Sequence, residues 1–293
     1  MTENIKVTAP AYLIEKAKLI NEYLLKFLPA PDVYPHVLHK AIRYSVMAGG
    51  KRLRPVLALA AYEACDGTGQ EIYKAAVALE LVHTYSLIHD DLPCMDDDDF
   101  RRGKPTLHKK YNEAIALLAG DALHDFAFRL MAETGNAEVV LELAKAIGTG
   151  GMLGGQMADL EAEGRNLNLD EVEFIHNHKT GKLIRGAVRI GSILANADNE
   201  KLQAITQYGE KIGLAFQIID DILDIEGDAE LLGKPIGSDS KNNKATYPSV
   251  IGLDKSHEKA GQLIEEAIDL VESTIPKSGN FVTIGRFIGG RWH

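Results

Sequence analysis

Gln217, Asp220, Asp221 and Asp224 stand at steps of three and four in a stretch, Ile219-Asp-Asp-Ile-Leu-Asp-Ile225, that is otherwise apolar. On a helix that spacing gathers the polar side chains on one face and leaves the other face to the hydrophobes. Carboxylates flanked so closely by isoleucine are badly placed for simple solvation, and half-buried charges need partners. Hard oxygen donors suit Mg²⁺, which takes one or two carboxylates and completes its shell with water and phosphate oxygens. The chain must therefore fold so that an acidic helix face turns inward onto a polar space.

A second acid run can supply the opposite wall. His89-Asp90-Asp91-Leu92-Pro93-Cys94-Met95-Asp96-Asp97-Asp98-Asp99 carries six carboxylates in ten residues at the end of an apolar helical pattern. Alone, such a run reads as a solvated face as readily as a site. It is not an EF-hand, because Arg101 stands where that loop requires glycine. In an unbroken helix Asp96 would point well away from Asp90, but Pro93 is expected to end the helix and let Asp96 swing back. Two clusters so far apart in sequence can face each other across a cavity in a helical bundle.

The remaining pattern fits a bundle. Ile72, Ala75, Ala76, Leu79, Val82 and Ser86 recur at helical steps over 71–91, as do Leu202, Ile205, Ile212, Ala215, Phe216, Ile219, Ile222 and Leu223 over 200–226. Similar patterns run over 11–28, 35–48, 55–65, 111–133, 138–147, 170–195 and 248–273, whereas alternating strand patterns are nearly absent. The expectation is an all-α protein forming one large bundle over residues 1–293, with a flexible start at 1–10. The glycines from Gly148 to Gly155 mark either a helix break or a close approach by substrate or helix.

Composition narrows the partners. A hydrophobic fraction of 45% provides a core, and a net charge of −10 argues against nucleic acid or an anionic membrane. Two cysteines, Cys65 and Cys94, are too few for a disulfide framework. No secretory signal is expected from MTENIKVTAP and no apolar stretch reaches membrane-spanning length, so the expected setting is cytoplasmic.

An anionic ligand would then need local cations. Gly49-Gly50-Lys51-Arg52-Leu53-Arg54-Pro55 offers three of them just before a helix start. Arg101-Arg102-Gly103-Lys104 follows the acid run, and Lys179-Thr180-Gly181-Lys182, Lys234 and Lys244 add more. None of this is a nucleotide P-loop: the glycine spacing before Lys234 is one residue too long and Pro235 replaces the Ser or Thr. Acid clusters and basic loops together suggest diphosphates bridged by metal.

Over roughly residues 15–270 the sequence resembles the trans-prenyl diphosphate synthases. The resemblance rests on Gly50-Lys51-Arg52-Leu53-Arg54-Pro55, on Ser86 through Pro105, on Gly154-Gly-Gln-Met-Ala-Asp159, on His178-Lys-Thr-Gly181 and on Gly213 through Asp224. It implies an all-α bundle around a deep cavity, usually a homodimer, that condenses isopentenyl diphosphate with allylic diphosphates. It also implies three Mg²⁺ ions per active site, with Asp90 and Asp96 as ligands on one wall and Asp220 on the other. Asp91, Asp221 and Asp224 would support them. Lys51, Arg54, His83 and Arg102 resemble the isopentenyl diphosphate site. Arg101, Lys179, Thr180, Gln217, Lys234 and Lys244 resemble the grip on the allylic diphosphate.

The four-residue gap between Asp91 and Asp96 resembles the longer spacing of bacterial farnesyl and plant-type enzymes, and an aromatic residue at Tyr85 beside Ser86 resembles farnesyl-type ones. Tyr85 and Ser86 are thus the candidate chain-length residues, although Tyr85 is rotated well off the face of Asp90. Three other readings stay open: a geranylgeranyl diphosphate synthase, a class I terpene cyclase, and a non-catalytic partner subunit. Residues 276–293 depart from the family pattern, and their four glycines disfavour the helix expected there.

Overall fold

In a computed structural model, which describes residues 9–227 and 245–290, the apolar repeats become helices nearly where their periodicity puts them. The chain opens with α1 (Ala11–Phe27), α2 (His36–Val46), α3 (Leu53–Ala64) and α4 (Glu71–Asp90). A small hairpin of β1 (Phe100–Arg101) and β2 (Lys104–Pro105) leads to α5 (Leu107–Lys110), α6 (Glu113–Ala132) and α7 (Ala137–Ile147). Then come α8 (Met152–Ala162) and α9 (Leu169–Ile175). A π-helical segment, His176–Gly181, runs on into α10 (Lys182–Leu194), which α11 (Asn199–Glu226) follows. α12 (Tyr247–Ile251), α13 (Leu253–Thr274) and α14 (Gly279–Gly289) complete the described bundle. Lys234, Lys244 and most of the expected flexible start lie outside the described residues.

Local chemistry fixes several helix starts. The side chains of Asn112, Asn136 and Asp198 accept first-turn backbone N–H groups at 2.8, 2.9 and 2.9 Å, and Asn168 with Glu171 forms a capping box on α9. Packing then arranges the helices in two apolar clusters. One surrounds α4 and draws on α2, α6 and α7; the other surrounds α11 and draws on α3, α13 and α14. Helix α10 serves both, presenting Leu183, Ala187 and Ile190 to the first and Ile184 and Val188 to the second. The helices carrying the two acid clusters are thus the hubs of the two cores. Among the described residues no helix is long and apolar enough to cross a membrane.

The glycine-dense stretch breaks the helical run between α7 and α8, and Gly154 and Gly155 lie inside α8. One segment differs from expectation: the tail, expected to resist helix formation, forms α14. Each helix glycine costs about 1 kcal/mol relative to alanine. Phe281, Ile284 and Ile288 lie on one face and are fully buried, and each returns roughly 1.5–3 kcal/mol. The Tyr208 hydroxyl donates to the Phe281 carbonyl at 2.7 Å, and a Cβ at Gly289 would sit 3.0 Å from Ile264, so glycine lets α14 lie close on α13. Tertiary contact outweighs propensity here.

Candidate active site

Helix α4 ends at Asp90, and the chain folds back as Pro93 requires. The backbone N–H of Met95 donates to the Leu92 carbonyl at 2.8 Å and that of Asp96 to the Asp90 carbonyl at 2.9 Å. Asp96 is thereby returned to the side of Asp90. Asp91 is buried and accepts from Arg101 Nε at 2.6 Å. Burial lifts its carboxyl to about 6, although Arg101 pulls the other way. Arg101 reaches Asp98 as well, at 3.2 Å, so its charge is engaged inside the acid run.

The hairpin carries Arg102 onto the basic loop. Its turn places Arg102 at φ 54° and Gly103 at φ 71°, the left-handed pair of a tight two-residue turn. From there the Arg102 guanidinium donates to the Gly49 carbonyl. Gly50, at φ 123°, holds a backbone conformation that side chains disfavour, and a Cβ there would push on the Arg102 guanidinium, 2.6 Å away.

Within the basic loop the three cations divide. Arg52 is buried and bonds Glu80 at 2.5 Å, the Val46 carbonyl at 2.7 Å and Asn21 at 3.0 Å. It anchors the loop and is not available to an incoming anion, which corrects the reading of three equivalent cations. Arg54 is half-buried with its buried Nε unpartnered, and desolvation pushes it down to about 10 despite Glu80 and Asp220. His83 is held well below its ordinary range, first by burial and then by Arg54 and Arg102. The structure thus brings Arg54, His83 and Arg102 into one electropositive corner beside Lys51.

The π-helical segment presents the other cation. Gly155 of α8 packs against it so tightly that a Cβ would sit 2.1 Å from the Lys179 backbone nitrogen. Lys179 Nζ pairs with Asp159 at 2.7 Å. Burial works against the ammonium, but Asp90, Asp159 and Asp96 together hold its pKa above the ordinary lysine value. Lys179 also lines a cleft of about 180 Å³ with Gln217, Asp220 and Asp221 from α11. One ammonium is therefore within reach of both acid clusters. Thr180, next along the segment, is buried.

Asp221 and Asp224 are buried on α11, but Asp221 is already engaged. Its Oδ2 accepts from His176 Nε2 at 2.9 Å and from the Tyr247 backbone at 2.8 Å. Tyr85 is buried in the α4/α6 seam, edge-on to His89 and His124, and its hydroxyl lacks a partner. Ser86 is half-buried and donates to the His83 carbonyl at 3.0 Å.

Sequence reasoning passed over Glu80, Asp159 and His176. Glu80 had a signal, since a lone carboxylate inside Ala75–Val82 demands a buried partner. Asp159 is the one acid of its motif. His176 had none that spacing could supply.

No three His, Cys, Asp or Glu side chains converge as a closed metal cage among the described residues. Mg²⁺ needs no such cage where phosphate oxygens complete its octahedron, and the all-oxygen donors Asp90, Asp96 and Asp220 have the hardness it prefers.

Fold and site together define an isoprenoid synthase of the all-α type. Residues 35–278 match the family described as polyprenyl synthetase. The chain is 44% identical over 270 residues to the farnesyl diphosphate synthase of Geobacillus stearothermophilus, spanning 89% of this chain and 91% of that one. It is 44% identical over 288 residues to the geranylgeranyl diphosphate synthase of Cyanophora paradoxa, spanning 96% and 95%. The crystal structure of a Helicobacter pylori geranyltransferase complexed with magnesium and isoprenyl diphosphate superposes with a TM-score of 0.79 at 33% identity, covering 96% and 97%. The chain belongs to the polyprenyl synthetase family and is a prenyltransferase, a trans-prenyl diphosphate synthase of an Mg²⁺-dependent kind.

Proposed function

We propose that the protein condenses isopentenyl diphosphate with dimethylallyl and then geranyl diphosphate to give farnesyl diphosphate. The observation that carries this reading is Lys179, an ammonium held by Asp90, Asp96 and Asp159 at the mouth of the cleft that Asp220 lines. Cationic charge is thus wanted at the point where the two acid walls meet. Asp90, Asp96 and Asp220 would hold Mg²⁺, three ions in all, which when bound neutralise the diphosphate leaving group as Lewis acids.

The protein's own residues do the rest. Lys179 adds positive charge to the departing diphosphate, with Arg101, Lys234 and Lys244 completing the grip. The Thr180 hydroxyl and Gln217 carbonyl offer oxygen dipoles to the allylic cation. Lys51, Arg54, His83 and Arg102 hold isopentenyl diphosphate so that its double bond attacks that cation. A proton then leaves to the released diphosphate. No side-chain nucleophile is required, and the cleft must exclude water that would quench the cation.

Tyr85 supports a farnesyl-length product, since a buried ring beside α4 is suited to floor a tail growing down that helix. A homodimer in a reducing cytoplasm is the setting we propose, consistent with Cys65 and Cys94 both being free thiols. The test is incubation with Mg²⁺, isopentenyl diphosphate and each allylic diphosphate, followed by chromatography of the dephosphorylated alcohols. Farnesol should dominate. Asp90→Ala and Asp220→Ala should each lower turnover by about two orders of magnitude or more. Undiminished activity in excess chelator or in either variant would overturn the proposal.

A further inference from the structure

Asp221 lines the cleft beside Asp220 and is also bonded to a group of residues that the condensation does not use. Its side chain is 8% exposed, and its Oδ2 accepts two hydrogen bonds, from His176 Nε2 at 2.9 Å and from the Tyr247 backbone at 2.8 Å. An oxygen with both lone pairs engaged is a poor candidate for a further bond to metal or substrate. His176 is itself buried and opens the π-helical segment, three residues ahead of Lys179 and four ahead of Thr180. Tyr247 stacks on the His176 ring at 6.2 Å between centroids and donates its hydroxyl to Glu173 of α9 at 2.6 Å. One carboxylate therefore ties together α9, the π-helical segment, α11 and the start of α12.

We propose that His176 is a positioning residue acting through Asp221: it fixes the π-helical segment bearing Lys179 and Thr180 against the α11 face bearing Gln217 and Asp220. The consequence for the second cluster is a division of labour within Asp221, which commits one oxygen, Oδ2, to the scaffold and leaves Oδ1 for the cleft that it lines with Asp220. This arrangement suits the chemistry. A π-helical turn has poorer hydrogen-bond geometry than an α-helical one, so the segment needs an external tether where function requires a fixed angle. Gly155 presses on one side of the segment at Lys179, and the His176–Asp221 bond holds its first turn from the other. The two groups fixed this way, Lys179 and Gln217, both serve the allylic diphosphate in the function proposed above, on which this inference rests. The isopentenyl corner of Arg54, His83 and Arg102 is built from α3, α4 and the hairpin and does not share the tether.

The test compares His176→Ala, His176→Gln and Asp221→Asn. Two readouts are used: steady-state kinetics for each substrate, and calorimetric binding of a non-ionising geranyl thiolodiphosphate with Mg²⁺. In His176→Ala, allylic affinity and turnover should fall by about 10–100-fold, the range for losing a partner that orients a ligand-contacting group, while the KM for isopentenyl diphosphate stays unchanged. Glutamine, whose amide N–H can donate from near the Nε2 position, should recover most of the loss. The losses in His176→Ala and Asp221→Asn should fail to add when combined, since both act on one bond, which alanine removes and asparagine weakens.

Three results would overturn the proposal: a lowered melting temperature with both affinities intact, equal losses for the two substrates, or glutamine no better than alanine. The binding arm separates this idea from the activity it rests on. Wild-type protein that binds the analogue yet makes no prenyl product contradicts the proposed function, while the His176 comparison still decides the tether.

Discussion

Replacing Glu80 by glutamine removes one charge and almost no volume from the middle of α4. In the structure Glu80 Oε1 lies 2.5 Å from Arg52 Nη1, and the two side chains are 2% and 1% exposed. A pair this buried is not worth much against an apolar alternative, but breaking it by halves leaves a guanidinium in a dry interior, which costs about 3–5 kcal/mol. Glutamine keeps an acceptor oxygen in place, so the lower end, about 3 kcal/mol, is expected. For a chain of this size that corresponds to a melting point lowered by roughly 6–12 °C. Guanidinium unfolding should show the midpoint falling with an unchanged slope.

A paired replacement, Arg52→Met with Glu80→Met, removes the orphaned charge but strips donors from the Val46 carbonyl and Asn21, a loss of about 1–3 kcal/mol. It should fall between wild type and the single variant in stability. Its KM for isopentenyl diphosphate should rise nonetheless, because Lys51 and Arg54 flank the lost anchor. A Glu80→Gln protein within about 0.5 kcal/mol of wild type, the worth of an exposed pair, would refute the reasoning.

Other perturbations probe other parts of the site. Arg54→Lys should raise the KM for isopentenyl diphosphate by about tenfold and that for the allylic substrate far less, because an ammonium cannot reproduce the guanidinium fork; equal rises would contradict the assignment. Tyr85→Ala should shift the product to geranylgeranyl length, whereas Tyr85→Phe, which deletes only the unpartnered hydroxyl, should keep farnesyl length at unchanged or slightly higher stability. If chromatography shows only farnesol from a folded Tyr85→Ala protein, the floor lies elsewhere. Gly155→Ala should displace the Lys179 backbone and cut turnover by about a hundredfold, while the wild-type rate would show that α8 and the π-helical segment can part freely.

Much of this arrangement was legible in the residues because it follows from local rules. Period and proline position foretold α4, α11 and the return of Asp96 to Asp90, since helix geometry and a missing N–H act within a few residues. What escaped depends on partners distant in the chain. Arg52 read as one cation among three until Glu80, from the next helix, took it. Asp221 read as a support for the metal site until His176 and Tyr247 claimed one of its oxygens. The tail read as a poor helix because propensity counts glycines and cannot see Ile264 and Ile268 waiting on α13. In each case the sequence carries the residue, while the packing of another element decides its role.

The π-helical segment has a consequence for how this chain can change length. Loops accept insertions and deletions because nothing downstream depends on their register. Residues 176–181 sit inside an unbroken helical run, and their wider turns take up about one residue more than an α-helix would over the same rotation. If the run closed as an ordinary α-helix with every residue kept, all of α10 would turn by about 100°. Leu183, Ala187 and Ile190 would leave one core as Ile184 and Val188 left the other. The stretch is thus a phase-setting element: the width of its turns, as much as its number of residues, keeps α10 facing both cores.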